Sequence, residues 1–547
     1  MVNAMGRPLE KSERNQTITT TVSDVIIAEL EKWGITLVFG IPGGSSLGLV
    51  DSIRRNTKMR YIVVRHEQAA AFAASAYNKL TGKLAACLTI AGPGATNLAT
   101  GLYDAKEDSA SVLSLNGQVE AQYVGPGGFQ EIDQDAFFRP ITIFNNTIYE
   151  KTKTLKIITM ALKYAVFKKG VAQVSIPNDL QKEVLDAGCC EREMSVTTQN
   201  ILPEEQEIEQ AATVINQAKK PVILAGWGAF QSPDWILKIA QKLKAPIVTT
   251  FRAKGIIPEN NEWVLGILGD VGSQYTRSMV NASDLLITLG VGFSKRTNVP
   301  FGKPLLQVDI DPIKLGKYPF QIALLGNCNL ILPRLYEKLD TKTDLTSYQE
   351  MTEMKRKWND QLDKEADPQA TPIRPPYIMK ILSETLPEDA VITIDVGENG
   401  WWFGRNFVMK KQRFAMSGYL ATMGFALPSA LAAKLAYPKK TVVCITGDGG
   451  FSMAMGDFVT AVKYELPMSV IVLNNKKLAM IELEQQSERF PAFGVDLLNP
   501  NFAAYANACG GIGIAVDKPQ ELRTALQQAL TMNVPTLLDV DTDPRRF

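Results

Sequence analysis

Short apolar runs that end in glycine or polar residues alternate along this chain with stretches of helical period, the mark of parallel α/β sheets. Strand-like runs such as LVFGI, YIVVR, PVILAGWGA, AVITIDVGEN, TVVCITGDGG, MSVIVLNN and TLLDVD are separated by helix-like segments such as SDVIIAELEKWG and EQAAAFAASAYNKLTG. At 547 residues the chain exceeds what one hydrophobic core supports, so it divides into domains. Two weakly patterned polar stretches mark the divisions: LQKEVLDAGCCEREMSVTTQNILPEE and the segment over 341–375. The expected fold is α/β, with three doubly wound parallel-sheet domains over 17–185, 203–340 and 376–547. Ligands of such sheets sit outside the carboxyl ends of the strands, where the polar ends of these runs fall.

Composition narrows the function classes. With 58 Lys+Arg against 57 Asp+Glu, the net charge of +1 gives no overall field to hold nucleic acid or an anionic membrane. The polar N-terminus MVNAMGRPLEKSERNQTITT lacks the apolar stretch of a secretory signal. The 20 uncharged residues from Phe414 to Ala433 are interrupted by Gly418, Gly424 and Pro428, and read as a buried loop plus helix rather than a membrane span. The six cysteines (87, 189, 190, 328, 444 and 509) have neither CxxC nor zinc spacing, which fits a reducing cytoplasm. His66 is the sole histidine, so His-rich metal sites are excluded and any Ser-His or Cys-His nucleophile would have to use that ring. No GxxxxGK[ST] or GxGxxG occurs, so P-loop and standard dinucleotide sites lose their main support.

One motif carries chemistry. The run TVVCIT leads into Gly447-Asp448-Gly449-Gly450; the helical segment FVTAVKYEL follows, then MSVIVL and Asn474-Asn475. Asp448 and Asn475 are 27 positions apart, about one βαβ crossover, so neighbouring parallel strands would place both at one sheet edge. Two oxygen donors there, with glycines admitting a ligand close to the backbone, suit Mg²⁺ bridging phosphates. The plainer alternative is an ordinary strand-end turn.

At these residues the chain resembles the thiamine-diphosphate enzymes of the pyruvate oxidase and acetolactate synthase family, whose signature is GDG followed after a crossover by NN. The likeness runs from about residue 17 to 540. It implies that the first block is the pyrimidine-binding domain, the second the central domain and the third the diphosphate-binding domain. It further implies that Asp448, Asn475 and the backbone carbonyl of Lys477 hold Mg²⁺. Glu67, in Arg65-His66-Glu67-Gln68, resembles the carboxylate that hydrogen-bonds the cofactor's pyrimidine nitrogen, so that the imino form can take the proton from the thiazolium carbon. On residue type alone Glu67 reads equally as a helix first-turn charge. HEQAA is not HExxH, so a zinc reading fails for want of a second histidine.

The loops Gly40-Ile41-Pro42-Gly43-Gly44 and Gly92-Pro93-Gly94-Ala95-Thr96-Asn97 resemble those near the pyrimidine ring, with Pro42, Gly43 and Asn97 as contacts. Phe129-Gln130 resembles the pair facing the thiazolium and substrate. Asp395-Val396-Gly397-Glu398-Asn399 and Gly418-Tyr419-Leu420-Ala421-Thr422-Met423-Gly424 resemble the loops under the cofactor, with Gly397, Glu398, Asn399, Thr422 and Met423 as contacts, joined by Gly447, Gly449, Gly450 and Ile481. Met423 stands where a bulky apolar residue bends the cofactor; its alternative is core packing. Gly226, Gly228, Arg252, Gly292 and Asp309 resemble positions lining FAD in the central domain.

The resemblance leaves the fate of the decarboxylated unit to two features. Glu484, nine residues after Asn475, is the residue type of the oxidases, whereas flavin-containing acetolactate synthases carry Trp. The closing segment NPNFAAYANACGGIGIAV also resembles the oxidases. Arg296 resembles the arginine that recognises a second 2-oxo acid in acetolactate synthases, although Ser294 and Lys295 replace the usual acidic pair. The first expectation is therefore pyruvate oxidation through flavin, and the second an acetolactate-type carboligase, ahead of an acyl transferase or lyase. The aldehyde-forming route needs two adjacent histidines and ranks last. A non-catalytic homologue would have shed Glu67, Asp448 or Asn475. The resemblance also implies a homodimer or homotetramer in which Glu67 and Asp448 reach one cofactor from different subunits. The chain's close at Asp541-Thr542-Asp543-Pro544-Arg545-Arg546-Phe547 lacks the tail of membrane-activated oxidases, so no membrane partner is expected.

Overall fold

Each strand run quoted above lies in a parallel sheet of the computed structural model, which describes residues 20–185 and 200–546. Residues 17–19, most of the first linker with Cys189 and Cys190, and Phe547 lie outside the described residues.

The strands are β1 (Leu37–Gly40), β2 (Arg60–Val63), β3 (Ala85–Thr89), β4 (Val112–Gln118), β5 (Phe144–Thr147) and β6 (Val171–Pro177), forming a first sheet in the order β2-β1-β3-β4-β6-β5. Next, β7 (Pro221–Ala225), β8 (Ile247–Thr249), β9 (Val264–Ile267), β10 (Leu285–Leu289), β11 (Leu305–Asp309) and β12 (Ile322–Leu325) form a second, ordered β12-β11-β10-β7-β8-β9. The third sheet comprises β13 (Val391–Ile394), β14 (Arg413–Met416), β15 (Val442–Gly447), β16 (Ser469–Asn474), β17 (Ile512–Val516) and β18 (Thr536–Asp541), in the order β14-β13-β15-β16-β18-β17. Every pairing is parallel, and the inner strands are buried along their length because crossover helices cover the sheets. In each sheet the order reverses beside the first strand, creating the crevice at carboxyl ends where such folds take ligands.

The chain packs as two compact units. Among the described residues, one holds the first sheet (20–63, 84–99 and 111–185); the other holds 64–83, 100–110 and 200–546, with the second and third sheets.

Local sequence sets the helix ends. Helix Val22–Lys32 opens with a capping box: Thr21 Oγ1 accepts from Asp24 N at 3.3 Å while Thr21 N donates to Asp24 Oδ2 at 2.9 Å. Helix Glu67–Thr81 is capped by the one histidine, whose Nδ1 accepts from Gln68 N at 3.1 Å, and it stops at Gly82 with φ 72°. The ring of His66 thus has a structural duty. The uncharged Phe414–Ala433 stretch folds as the end of β14, a loop and the buried helix Ala426–Ala436, as expected. The polar segment over 341–375 contains the helix Thr346–Glu365, which packs on β9 and helix Gln274–Ala282. Its apolar content is small because Met351 is the only apolar residue of this helix that is fully buried, with Met354 half-buried beside it. Among the described residues no helix is long and apolar enough to cross a membrane.

Candidate active site

Four loops meet at the carboxyl edge of the third sheet. β15 pairs with β16 so that Gly447 lies opposite Leu473, which puts Asp448 and the Asn474–Lys477 turn side by side, as the crossover spacing predicts. The Asp448 carboxylate accepts from Gly449 N (2.9 Å), Lys476 N (2.7 Å) and Asn499 Nδ2 (2.7 Å). Asn499 Nδ2 also reaches Asn474 Oδ1 at 2.9 Å, and Asn475 Oδ1 accepts from Lys477 N at 3.0 Å. Burial pushes the Asp448 carboxyl above its ordinary value, and these bonds from neutral groups pull against that. A divalent cation fits this donor set: a buried carboxylate bonded, among the described residues, by neutral donors, an amide oxygen and the turn's carbonyls are the hard oxygens such ions take. Among the described residues no group of three His, Cys, Asp or Glu is placed to hold a metal.

The other two loops lock onto the first pair through a residue the sequence did not single out as a contact. Asp395, at the end of β13, is fully buried; both its oxygens accept from Gly424 N (3.1 Å), and Oδ2 accepts from Thr446 Oγ1 (3.1 Å). Burial raises its carboxyl to about 6, against the bonds from Val396, Thr446 and Gly424. A Cβ on Gly450 would lie 2.6 Å from Asp395 Oδ2, so only glycine admits this approach. Gly397 opens helix Glu398–Asn406 at φ 97°, and Asn399 Nδ2 returns to Asp395 O at 2.8 Å. Glu398 is held by Arg546, whose guanidinium lies 4.1 Å from the Trp401 ring centre. A Cβ on Gly449 would meet Met423 Cε at 3.0 Å, so Met423 stands over the GDG turn. Thr422 N donates to Ser417 Oγ at 3.0 Å. Ile481, in helix Ala479–Ser487, is 44% exposed. The structure therefore gathers Gly397, Glu398, Asn399, Thr422, Met423, Gly447, Asp448, Gly449, Gly450, Asn475, Lys477 and Ile481 at one edge.

In the first unit, the loops after β1, β3 and β4 converge. A Cβ on Gly43 would lie 2.3 Å from Ile90 Cγ2, Ala91 N donates to Ser45 Oγ at 2.9 Å, and a Cβ on Gly92 would lie 2.7 Å from Gln130 O. Pro42 and Asn97 are exposed, Gln130 takes a φ of 66°, and the Phe129 ring is 90% exposed. Glu67 belongs to the second unit, buried as the first residue of its helix, and the turn before it is tethered by Arg65 N donating to Asp457 Oδ1 at 2.9 Å.

The five central-domain positions also share one edge. Gly226 follows β7, Arg252 follows β8, Gly292 follows β10 and Asp309 ends β11. A Cβ on Gly226 would lie 2.2 Å from Gly290 O and one on Gly228 would lie 2.8 Å from Gly290 Cα, so these glycines are used for backbone packing. The Arg252 guanidinium is committed to Asp108 at 3.1 Å. Past β10, Arg296 pairs with Asp270 at 3.2 Å and with Glu484 at 3.8 Å, the side chains being 76%, 42% and 54% exposed. The two residues on which the reaction outcome was expected to turn are thus neighbours.

The sequence matches known proteins along nearly the whole chain. Three family models match: the thiamine pyrophosphate enzyme N-terminal TPP binding domain over residues 20–137, the central domain over 208–335 and the C-terminal TPP binding domain over 395–540. The chain belongs to this family of thiamine-diphosphate-dependent enzymes. It is 39% identical to the putative thiamine pyrophosphate-containing protein YdaP of Bacillus subtilis (strain 168), over 95% of this chain and 91% of that protein. A probable acetolactate synthase large subunit of Methanocaldococcus jannaschii is 32% identical, over 95% and 92% of the two chains. The acetolactate synthase isozyme 1 large subunit of Escherichia coli (strain K12) is 30% identical, over 96% and 94%. The two acetolactate synthase names favour the carboligase over the flavin oxidation that the residue at 484 suggested.

Proposed function

We propose that this protein is a carboligase of the acetolactate synthase type: one small 2-oxo acid, such as pyruvate, loses CO2, and its remaining acyl unit joins the carbonyl carbon of a second 2-oxo acid. The observation that carries this reading is the Arg296–Glu484 contact. It places a largely exposed guanidinium beside the helix that follows the Asn474–Lys477 turn. An exposed pair of this kind is worth about 0–1 kcal/mol, so a substrate carboxylate can take the place of Glu484 in a two-pronged bond to Arg296.

Thiamine diphosphate, when bound, supplies a nucleophilic carbon and an electron sink. Asp448, Asn475 and the Lys477 carbonyl would hold Mg²⁺. Gly447, Gly449 and Gly450 would let the cofactor approach the backbone, and Met423 with Thr422 would pack against it above the GDG turn. Gly397, Glu398, Asn399 and Ile481 would close the same edge, while Pro42, Gly43 and Asn97 would line the pyrimidine side from another chain. The Glu67 carboxylate would hold a proton at the cofactor's pyrimidine ring. Phe129 and Gln130 face the substrate, and the bare Phe129 ring accords with a cover from a second copy. The working unit is a homodimer or homotetramer, with Glu67 and Asp448 of one site drawn from two chains. We keep three domains, 17–185, 203–340 and 376–547, with helix Thr346–Glu365 carried by the second. The carbon–carbon bond forms as CO2 leaves and a proton is taken up, without net oxidation, so the reaction needs no FAD, and no membrane or nucleic acid takes part.

Arg296→Ala is the test. It is expected to raise the KM for the second 2-oxo acid by about tenfold to a hundredfold, the worth of a charge-assisted bidentate bond. The rate of CO2 release from the first should change little. Loss of both steps together would show that Arg296 serves something other than the acceptor.

A further inference from the structure

The loop between β14 and helix Ala426–Ala436 has no regular structure of its own, yet both of its ends are fixed to buried carboxylates. One anchor is Asp395 at Gly424 N. The other is Asp108, which accepts from Gly418 N at 2.8 Å and Tyr419 N at 3.0 Å across 310 residues or more of sequence. Its side chain is fully buried and also meets Lys79 Nζ at 2.6 Å and Arg252 at 3.1 Å. Lys79, only 4% exposed, bonds Asp104 at 2.7 Å and the Met416 carbonyl at 3.0 Å, and lies 4.5 Å from the centre of the Phe425 ring. A Cβ on Gly418 would come 2.5 Å from Arg252 Cδ and 3.0 Å from Asp108 Oδ1, so glycine is needed for the backbone to reach the carboxylate. Burial alone would push the Asp108 carboxyl up; the charges of Lys79 and Arg252 and the bonds it accepts overcome this and hold it below its ordinary value. Between the anchors, Tyr419 and Leu420 are exposed and Ala421 takes a φ of 56°, which brings Thr422 and Met423 to the sheet edge.

We infer that Asp108 is a positioning residue for the cofactor: by gripping the amides of Gly418 and Tyr419 it fixes the loop that presents Thr422 and Met423. The inference rests on the cofactor role proposed for those two residues. An asparagine at 108 keeps the size but turns an NH2 toward a shell made of donors, so one grip on the loop is lost. Asp104 offers the control, since it shares Lys79 and bonds Ser75 at 2.7 Å but bonds no part of the loop.

The experiment compares the full-length parent, Asp108→Asn and Asp104→Asn for thiamine diphosphate affinity with Mg²⁺, turnover at saturating cofactor, and apo melting temperature. Asp108→Asn should weaken the affinity by about 10–100-fold, the usual cost of losing a supporting contact behind a binding group, with turnover at saturation largely kept. Asp104→Asn should lower the melting temperature comparably yet hold its cofactor affinity near the parent's. Equal losses of affinity in both variants, or a parent-like Asp108→Asn, would overturn the inference while leaving the cofactor reading standing. A parent that binds no thiamine diphosphate would overturn both. Should Asp108→Asn not fold, amide exchange on the parent decides: Gly418 and Tyr419 protected like helix Ala426–Ala436 support the grip, and exchange at free-loop rates refutes it.

Discussion

Asp448→Asn is expected to abolish the Mg²⁺-dependent retention of thiamine diphosphate at concentrations that saturate the parent. The substitution keeps the shape and one acceptor oxygen for Lys476 N, which lies at 2.7 Å, but removes the only charge in the proposed donor set. Breaking one side of a buried ionic contact costs about 3–5 kcal/mol, or roughly 10²–10⁴-fold in affinity. Burial already disfavours the charged form of Asp448 in the metal-free protein. The apo variant turns an NH2 toward at least one of the donors Gly449 N, Lys476 N and Asn499 Nδ2, so a modest drop in its melting temperature is expected, and a fold kept at the assay temperature separates loss of binding from loss of fold. Equilibrium dialysis with Mg²⁺ and thiamine diphosphate, alongside calorimetric melting, measures both. A variant that binds as tightly as the parent would remove Asp448 from the metal site.

Glu67→Gln should show the opposite split. Its side chain is buried at the first position of helix Glu67–Thr81, capped by His66 and tethered through Arg65 N to Asp457 at 2.9 Å. Glutamine fits the same place and can still bond the pyrimidine ring, so cofactor affinity should change little. It cannot carry the carboxylate's charge or exchange its proton, and loss of an acid/base group costs about 10²–10⁴-fold in rate. Turnover of pyruvate at saturating cofactor measures this, and near-parent turnover would exclude Glu67 from proton handling.

The features legible in the sequence were those set by local pattern. Runs such as TVVCIT and MSVIVL became β15 and β16 because a strand buried on both faces must be continuously apolar, and the crossover length placed Asp448 beside Asn475. The helix Thr346–Glu365 was hidden because most of its surface is exposed and little of it is apolar. Asp395, Asn499 and Asp108 were not legible as contacts. Each acts through a partner far along the chain: Gly424 for Asp395, Asp448 for Asn499 and Gly418 for Asp108. A lone Asp at a strand end carries no sign of what will fold against it. The residue type at 484 pointed to oxidation, yet the structure sets Glu484 against Arg296, where it is as well explained as a partner of that guanidinium.

The most direct measurement puts the purified protein with pyruvate, Mg²⁺ and thiamine diphosphate under anaerobic conditions, and follows acetolactate and visible absorbance in the same cell. The carboligase reading predicts one acetolactate and one CO2 for each pair of pyruvates, with no change in absorbance. Bleaching of a bound flavin by pyruvate, with no acetolactate formed, would contradict it.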